Sequence, residues 1–180
     1  AAIASEKAIL DSGIDRESID HIIIAHNFGD IQSDKSIPEM MPSLGAKVKN
    51  KLGIKNPNCV CYDIIFGCPG WVQAMIQADV YIKSGYAKTC LVVGTESLSR
   101  MVDPTDRDAM IFSDGAGAVI VTALESDKEV GIINHSSVTH AAQDLNYLTM
   151  GGSNKQGNDD NLYIKMKGRK IYNSALLEVP

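Results

Sequence analysis

Cys68 is the residue of this chain best placed for covalent chemistry, at the centre of CVCYDIIFGCPGWVQAMIQADVYIKSG, residues 59 to 85. Cysteine attacks as the thiolate, and a helix N-terminus favours that form by about 0.3–1 kcal/mol. The flanking residues predict such a terminus. Residues 59 to 65 are short, apolar and partly β-branched, as expected of a buried strand. From Trp71 to Ile82 apolar residues run almost all round a helical wheel, the pattern of a buried helix. Between them, Gly67 permits a sharp turn, Pro69 suits a first helical turn, and Gly85 marks the helix stop. The predicted arrangement is a strand-to-helix elbow resembling a nucleophile elbow. The helix dipole activates a thiol only in part, and full activation calls for a base such as histidine. The competing reading is a buried structural cysteine, since free cysteine is among the most buried residue types.

The elements around this elbow follow from local signals. Residues 2 to 12 have helical spacing and stop at Gly13; Ser43 caps a helix running to about Leu52, ended by Gly53. Residues 21 to 26 enclose a continuous apolar run typical of a strand covered on both faces. Further strands are expected at 89–94, 116–123 and 130–138, with polar loops at 27–42, 95–115 and 142–161 and a last helix from 170. Strands alternating with helices predict an α/β chain with a mostly parallel sheet covered on both faces.

At 180 residues the chain is one domain or half of a larger one. A formal net charge of −5 argues against nucleic acid as the main partner. No run of about 18 apolar residues is present to span a membrane. The four cysteines (Cys59, Cys61, Cys68, Cys90) lie in apolar strand-like or elbow settings without CxxC or His/Cys metal spacing, which fits a reduced, cytoplasmic protein and no metal site. Cys59 and Cys61 read as core packing. Asp103, Asp106, Asp108 and Asp114 read as turn-forming residues of a solvated loop. The glycines of DGAGA precede a strand, not a helix, so they are packing glycines and not a phosphate cradle.

Four stretches in order carry a resemblance: YDIIFGCPGW, LVVGTESLSRMVDPTDRD, FSDGAGAVIV and IKMKGRKIYNSA. Together they resemble the N-terminal half of a β-ketoacyl-acyl-carrier-protein synthase III, a thiolase-fold condensing enzyme. The resemblance implies a thiolase-like fold over residues 1–180, one half of a five-layered αβαβα architecture with a mixed, mostly parallel sheet. It places Cys68 on the acyl-accepting nucleophile, with its own N–H at the helix start in the oxyanion hole, and Arg107 on the arginine that contacts the nucleotide part of coenzyme A. Met41 falls near a position that reaches the partner subunit's acyl pocket. The first strand and a coenzyme-A-binding tryptophan are expected upstream of Ala1, that strand lying between those at 21–26 and 89–94. The catalytic His and Asn motifs are expected beyond residue 180. His21, His26, His135 and His140 match no family motif and read as surface or strand-end histidines. Pro69 and Trp71 replace the usual Ala and Phe, a bulkier neighbourhood that bears on which acyl group fits.

The activity so implied is transfer of an acyl group from acyl-CoA to Cys68, then decarboxylative condensation with malonyl-acyl carrier protein. Acyl-CoA is the substrate, with no permanently bound cofactor. A homodimer is implied, with strand 59–65 pairing with its copy, and the 180 residues alone are expected to be incomplete and inactive in condensation. The alternatives are an acyltransferase of a polyketide pathway and a non-catalytic partner subunit of a heterodimer; the cysteine at the elbow counts against the latter.

Overall fold

The computed structural model describes residues 1–31, 38–155 and 160–179, so the loops expected at 27–42 and 142–161 lie partly outside it. The contacts form two compact units. The first comprises residues 1–30, 38–96 and 115–137, and the second is built chiefly from 97–114 and 138–179.

Local signals in the first unit become elements as expected. Helix α1 (Ala2–Ser12) stops at Gly13 in the left-handed region, φ 69°. Helix α2 (Leu44–Lys51) is capped by Ser43, whose side chain accepts from the Ala46 amide. The strands are β1 (His21–Ala25), β4 (Val60–Ile64), β5 (Thr89–Ser97) and β6 (Asp114–Thr122). Two short strands, β2 (Asp30–Ile31) and β3 (Pro38–Glu39), lie between β1 and α2 in the chain. Helix α3 spans Gly70–Lys83.

The sheet order is β4-β1-β5-β6. β1 runs parallel to both neighbours, His21 standing opposite Val60 on one side and Cys90 on the other. β6 runs against β5: the amide of Ala123, just past its end, donates to the Lys88 carbonyl just before β5 begins. The sheet is therefore mixed and mostly parallel. β1 is wholly buried and alternates. Ile22 and Ile24 meet Ile9, Val48 and Leu52 from α1 and α2, while Ile23 and Ala25 meet Ala74 and Ala78 of α3. Helices thus cover both faces.

Several expectations need correction here. No strand lies between 21–26 and 89–94, because β1 and β5 pair directly in continuous register. β4 is the outer strand and not a buried one, with Val60 48% exposed, because it has a sheet neighbour on one side only among the described residues. Helix α3 buries one face only: Gly70, Ala74, Ile76 and Ala78 point inward, and Trp71, Val72 and Val80 are exposed. Residues 130–138 form no strand, and Val130, Ile133 and Val138 stand exposed.

In the second unit, β7 (Leu148–Gly151) pairs antiparallel with β8 (Tyr163–Met166), and helix α4 (Gly168–Glu178) follows. β7 falls where a loop was expected. Ile164 donates to the Met101 carbonyl at 2.8 Å, both residues being buried. Beside them lies Asp103, 1% exposed, which corrects its reading as a solvated turn residue. Its carboxylate accepts from the Thr105 amide and hydroxyl, the Asn154 amide and Lys165 Nζ at 2.6–2.9 Å. These donors, the Thr105 hydroxyl foremost, hold the carboxyl far below its ordinary value.

Candidate active site

β4 ends at Ile64, and Ile65 and Phe66 lead into the turn that carries Cys68. Gly67 takes φ 77°, a conformation that would strain any side chain. The Gly70 amide donates to the Gly67 carbonyl at 3.0 Å, enclosing Cys68 and Pro69 in a tight turn. Pro69 is the N-cap of α3, its carbonyl accepting from Gln73. Cys68 therefore precedes the helix, and its N–H belongs to the turn instead of the helix start. The elbow stands; the amide's expected place in it shifts by two residues.

The elbow is seated close against the sheet. A Cβ on Gly70 would meet the Ala25 Cβ at 3.1 Å and the Phe66 Cβ at 3.8 Å, so only glycine lets α3 begin this near the end of β1. One residue on, Trp71 lies over Gly94, where an added Cβ would meet three atoms of the Trp71 side chain at 3.1–3.4 Å. The turn that carries Cys68 thus lies at the carboxyl ends of parallel strands, where open α/β sheets place their ligands.

Exposure separates the four cysteines. Cys59 and Cys90 are buried, and burial pushes each thiol up to about 11. Cys61 is half-buried and also pushed up by burial. Cys59 and Cys61 pack into the cluster on the α2 side, as core residues do. Cys68 alone among them is exposed, where a structural cysteine would be buried. Among the described residues no group of His, Cys, Asp or Glu is arranged to hold a metal ion.

Arg107 begins a 3₁₀ turn, Arg107–Ile111, capped by the Asp106 carboxylate, which accepts from the Asp108 amide. Its side chain is 92% exposed, with Nε 3.7 Å from Asp108 Oδ1. Cys68 and Arg107 belong to different units.

A buried pair beside the elbow was not singled out from sequence. His26, just past β1, has a side chain 1% exposed, with Nε2 3.0 Å from Asp63 Oδ2 but off the axis of a good hydrogen bond. Its Nδ1 accepts from the Gly29 amide at 2.8 Å, so Nε2 is the protonated nitrogen of the neutral ring. Asp63 also accepts from the Leu44 and Gly45 amides, both at 2.7 Å, at the start of α2. Burial raises the Asp63 carboxyl, but His26 and those two amides outweigh it and leave it below its ordinary value. The available signal was a charged residue inside an apolar strand pattern, five positions before Cys68. The reading of His26 as a surface or strand-end residue is right in place and wrong in burial. His21 is likewise buried, against Tyr81 and Tyr86. His135 and His140 are exposed.

Residues 62–141, which include the elbow, match the family described as 3-oxoacyl-(acyl-carrier-protein) synthase III. The chain is 38% identical over 178 residues to a beta-ketoacyl-acyl-carrier-protein synthase III of Methylococcus capsulatus. It is 35% identical over 180 residues to the protein of that name from Salmonella arizonae. In each case 98% of this chain is covered and 51% of the relative, so the chain spans about half the length of these curated relatives. The solved 3-oxoacyl-acyl-carrier-protein synthase III of Aquifex aeolicus superposes with a TM-score of 0.77 at 31% identity, covering 96% of this chain and 50% of that one. Motifs, sheet and elbow agree with that fold, and over the half of those proteins that it spans the chain is similar to the 3-oxoacyl-acyl-carrier-protein synthases III.

Proposed function

We propose that this chain supplies the acyl-accepting half of a condensing acyltransferase: Cys68 takes an acyl group from acyl-CoA and delivers it to malonyl-acyl carrier protein. The supporting observation is an exposed cysteine in a glycine-shaped turn, between the carboxyl end of a parallel strand and the start of α3. In the first step the Cys68 sulfur attacks the thioester carbonyl. The C–S bond to coenzyme A breaks, and coenzyme A leaves as the thiol, carrying the proton that Cys68 gives up. In the second step the malonyl carboxylate of malonyl-acyl carrier protein leaves as carbon dioxide, the resulting carbanion attacks the acyl carbonyl, and the Cys68–acyl bond breaks to release the thiolate, which takes up a proton from solvent. The product is a 3-oxoacyl-acyl carrier protein, the first condensation of fatty acid synthesis.

The two strand-end histidines do not serve as bases here. His26 is buried, with Nδ1 accepting from the Gly29 amide and Nε2 3.0 Å from Asp63, and His21 is buried against tyrosines. The residues that stabilise the developing enolate oxygen are then others than these, in keeping with a chain that matches half of its relatives. Arg107, its guanidinium open to solvent, pairs with the phosphates of coenzyme A in this reading. The outer edge of β4, which has no second sheet neighbour among the described residues, suits pairing with a second copy, which makes the working form a homodimer. Four free thiols fit a cytoplasmic setting. Incubation with a short acyl-CoA should release one equivalent of free coenzyme A per chain, and Cys68→Ala should release none; equal release from both would reject Cys68 as the acceptor.

A further inference from the structure

The carboxylate of Asp63 joins three elements at the base of the nucleophile turn. From β4 it accepts the first two amides of α2, and it faces the buried His26 imidazole at the end of β1. A Cβ on Gly45 would lie 3.1 Å from the Tyr62 amide nitrogen and 3.2 Å from Asp63 Oδ1, so α2 is drawn as near to β4 as a glycine allows. One residue on, the His26 amide donates to the Ile64 carbonyl at 3.1 Å, the last rung tying β4 to the end of β1. The next fixed point is Gly70 against Ala25. Cys68 therefore rides on a short turn whose two ends are both held to residues 25 and 26.

His26 does not perform proton transfer in this arrangement, because Gly29 occupies Nδ1 and Asp63 faces Nε2. What the pair can do is fix geometry. We propose that Asp63, held by the Leu44 and Gly45 amides and packed against the buried His26, is a positioning residue for Cys68: it sets the exit of β4 and so the place of the sulfur over the start of α3. The inference concerns the elbow itself and rests on the acyl-transfer reading only for its activity readout.

The test compares Asp63→Asn, His26→Leu and His26→Gln with Glu17→Gln. Asp63→Asn retains one acceptor and turns an N–H toward an amide or the imidazole. Gln keeps one donor and one acceptor at position 26, whereas Leu keeps neither. Glu17 is the control because its carboxylate also accepts backbone amides, those of Lys55 and Asn56, away from the elbow. Hydrogen exchange should speed up about tenfold or more at residues 64–70 in Asp63→Asn and His26→Leu, while β5 stays protected; His26→Gln and Glu17→Gln should leave the elbow unchanged. Acylation of Cys68 by acyl-CoA should slow about 10–100-fold in the first two with KM within about twofold, the scale of a misplaced reacting group. Iodoacetamide, which needs an exposed thiolate but no bound and oriented acyl group, should label all variants at similar rates. Elbow exchange unchanged in Asp63→Asn, or raised equally in β5, would overturn the positioning role. If Asp63→Asn fails to fold, His26→Leu against His26→Gln decides the matter by the same criteria. A wild-type protein that takes no acyl group would reject the acyl-transfer reading, and the exchange pattern would still decide this one.

Discussion

The close approach of Gly70 to Ala25 makes a quantitative prediction for the seat of the elbow. In Gly70→Ala the new methyl would stand 3.1 Å from the Ala25 Cβ, well inside the roughly 3.5–4.0 Å optimum for two carbons. Ala25 cannot yield, since it is 4% exposed and lies in β1 between Ile64 and Gly94. Overpacking of this kind costs about 1–3 kcal/mol, and the better helix propensity of alanine returns up to about 1. The single variant should therefore lose about 0–3 kcal/mol. Ala25→Gly alone should lose about 1.5 kcal/mol, from one buried methyl and a freer unfolded backbone. The double variant restores the total volume with the methyl moved across the contact. It should lose less than the sum of the two by about 1 kcal/mol or more, the size of coupling expected for residues in contact. Urea unfolding followed by Trp71 fluorescence reads this locally, because Trp71 is the chain's single tryptophan and adjoins position 70. Additive losses, or a Gly70→Ala variant more stable than wild type, would refute the argument.

Arg107→Ala should weaken acyl-CoA binding by about 1.5–3 kcal/mol in titration calorimetry, the worth of a hydrogen bond to a charged group, and unchanged affinity would remove Arg107 from the site. Burial lowers the His21 pKa against a smaller opposing pull from Asp20, so the folded chain holds this ring neutral. Its contribution to stability is full above its ordinary value of 6.5 and declines as pH falls from there toward the folded-state value. His21→Phe keeps a ring against Tyr81 and Tyr86 and should flatten the loss of urea resistance on acidification; an equal decline in both proteins would contradict this. Lys165→Met strands the buried Asp103 carboxylate without its cation and should lower the melting temperature clearly. Glu6→Gln, which breaks the half-exposed pair with Arg16, should shift it little, and equal shifts would count against the distinction.

Local chemistry was legible in the sequence and long-range pairing was not. Gly13, Gly67 and Gly85 adopt the positive φ that their positions announced, and Ser43 caps its helix. These features depend on a few neighbouring residues. The place of β4 at the sheet edge was hidden, because its composition is that of a central strand. The direct pairing of β1 with β5 joins residues about seventy apart, and no local pattern encodes it. Asp103 looks like an ordinary turn aspartate beside Pro104, and its burial depends on Lys165 and Asn154, more than fifty positions away. The pairing of His26 with Asp63 has the same character: one ends an apolar run, the other interrupts one, and only the fold sets them 3.0 Å apart. Exposure of Trp71 and Val72 shows the converse limit, since apolar residues all round a helix do not reveal which face has a neighbour.

The acyl-transfer reading is tested most directly by where an acyl group lands. After incubation with a short acyl-CoA, trypsin cutting after Lys55 and Lys83 leaves Cys59, Cys61 and Cys68 in one peptide, so fragmentation within that peptide by tandem mass spectrometry is needed to place the label. Burial that pushes Cys59 to about 11 and also raises Cys61, set against an exposed Cys68, predicts a single acyl mass on Cys68 and none on Cys59, Cys61 or Cys90. Acyl mass on any of those three, or an unlabelled Cys68 in protein that has released coenzyme A, would contradict it.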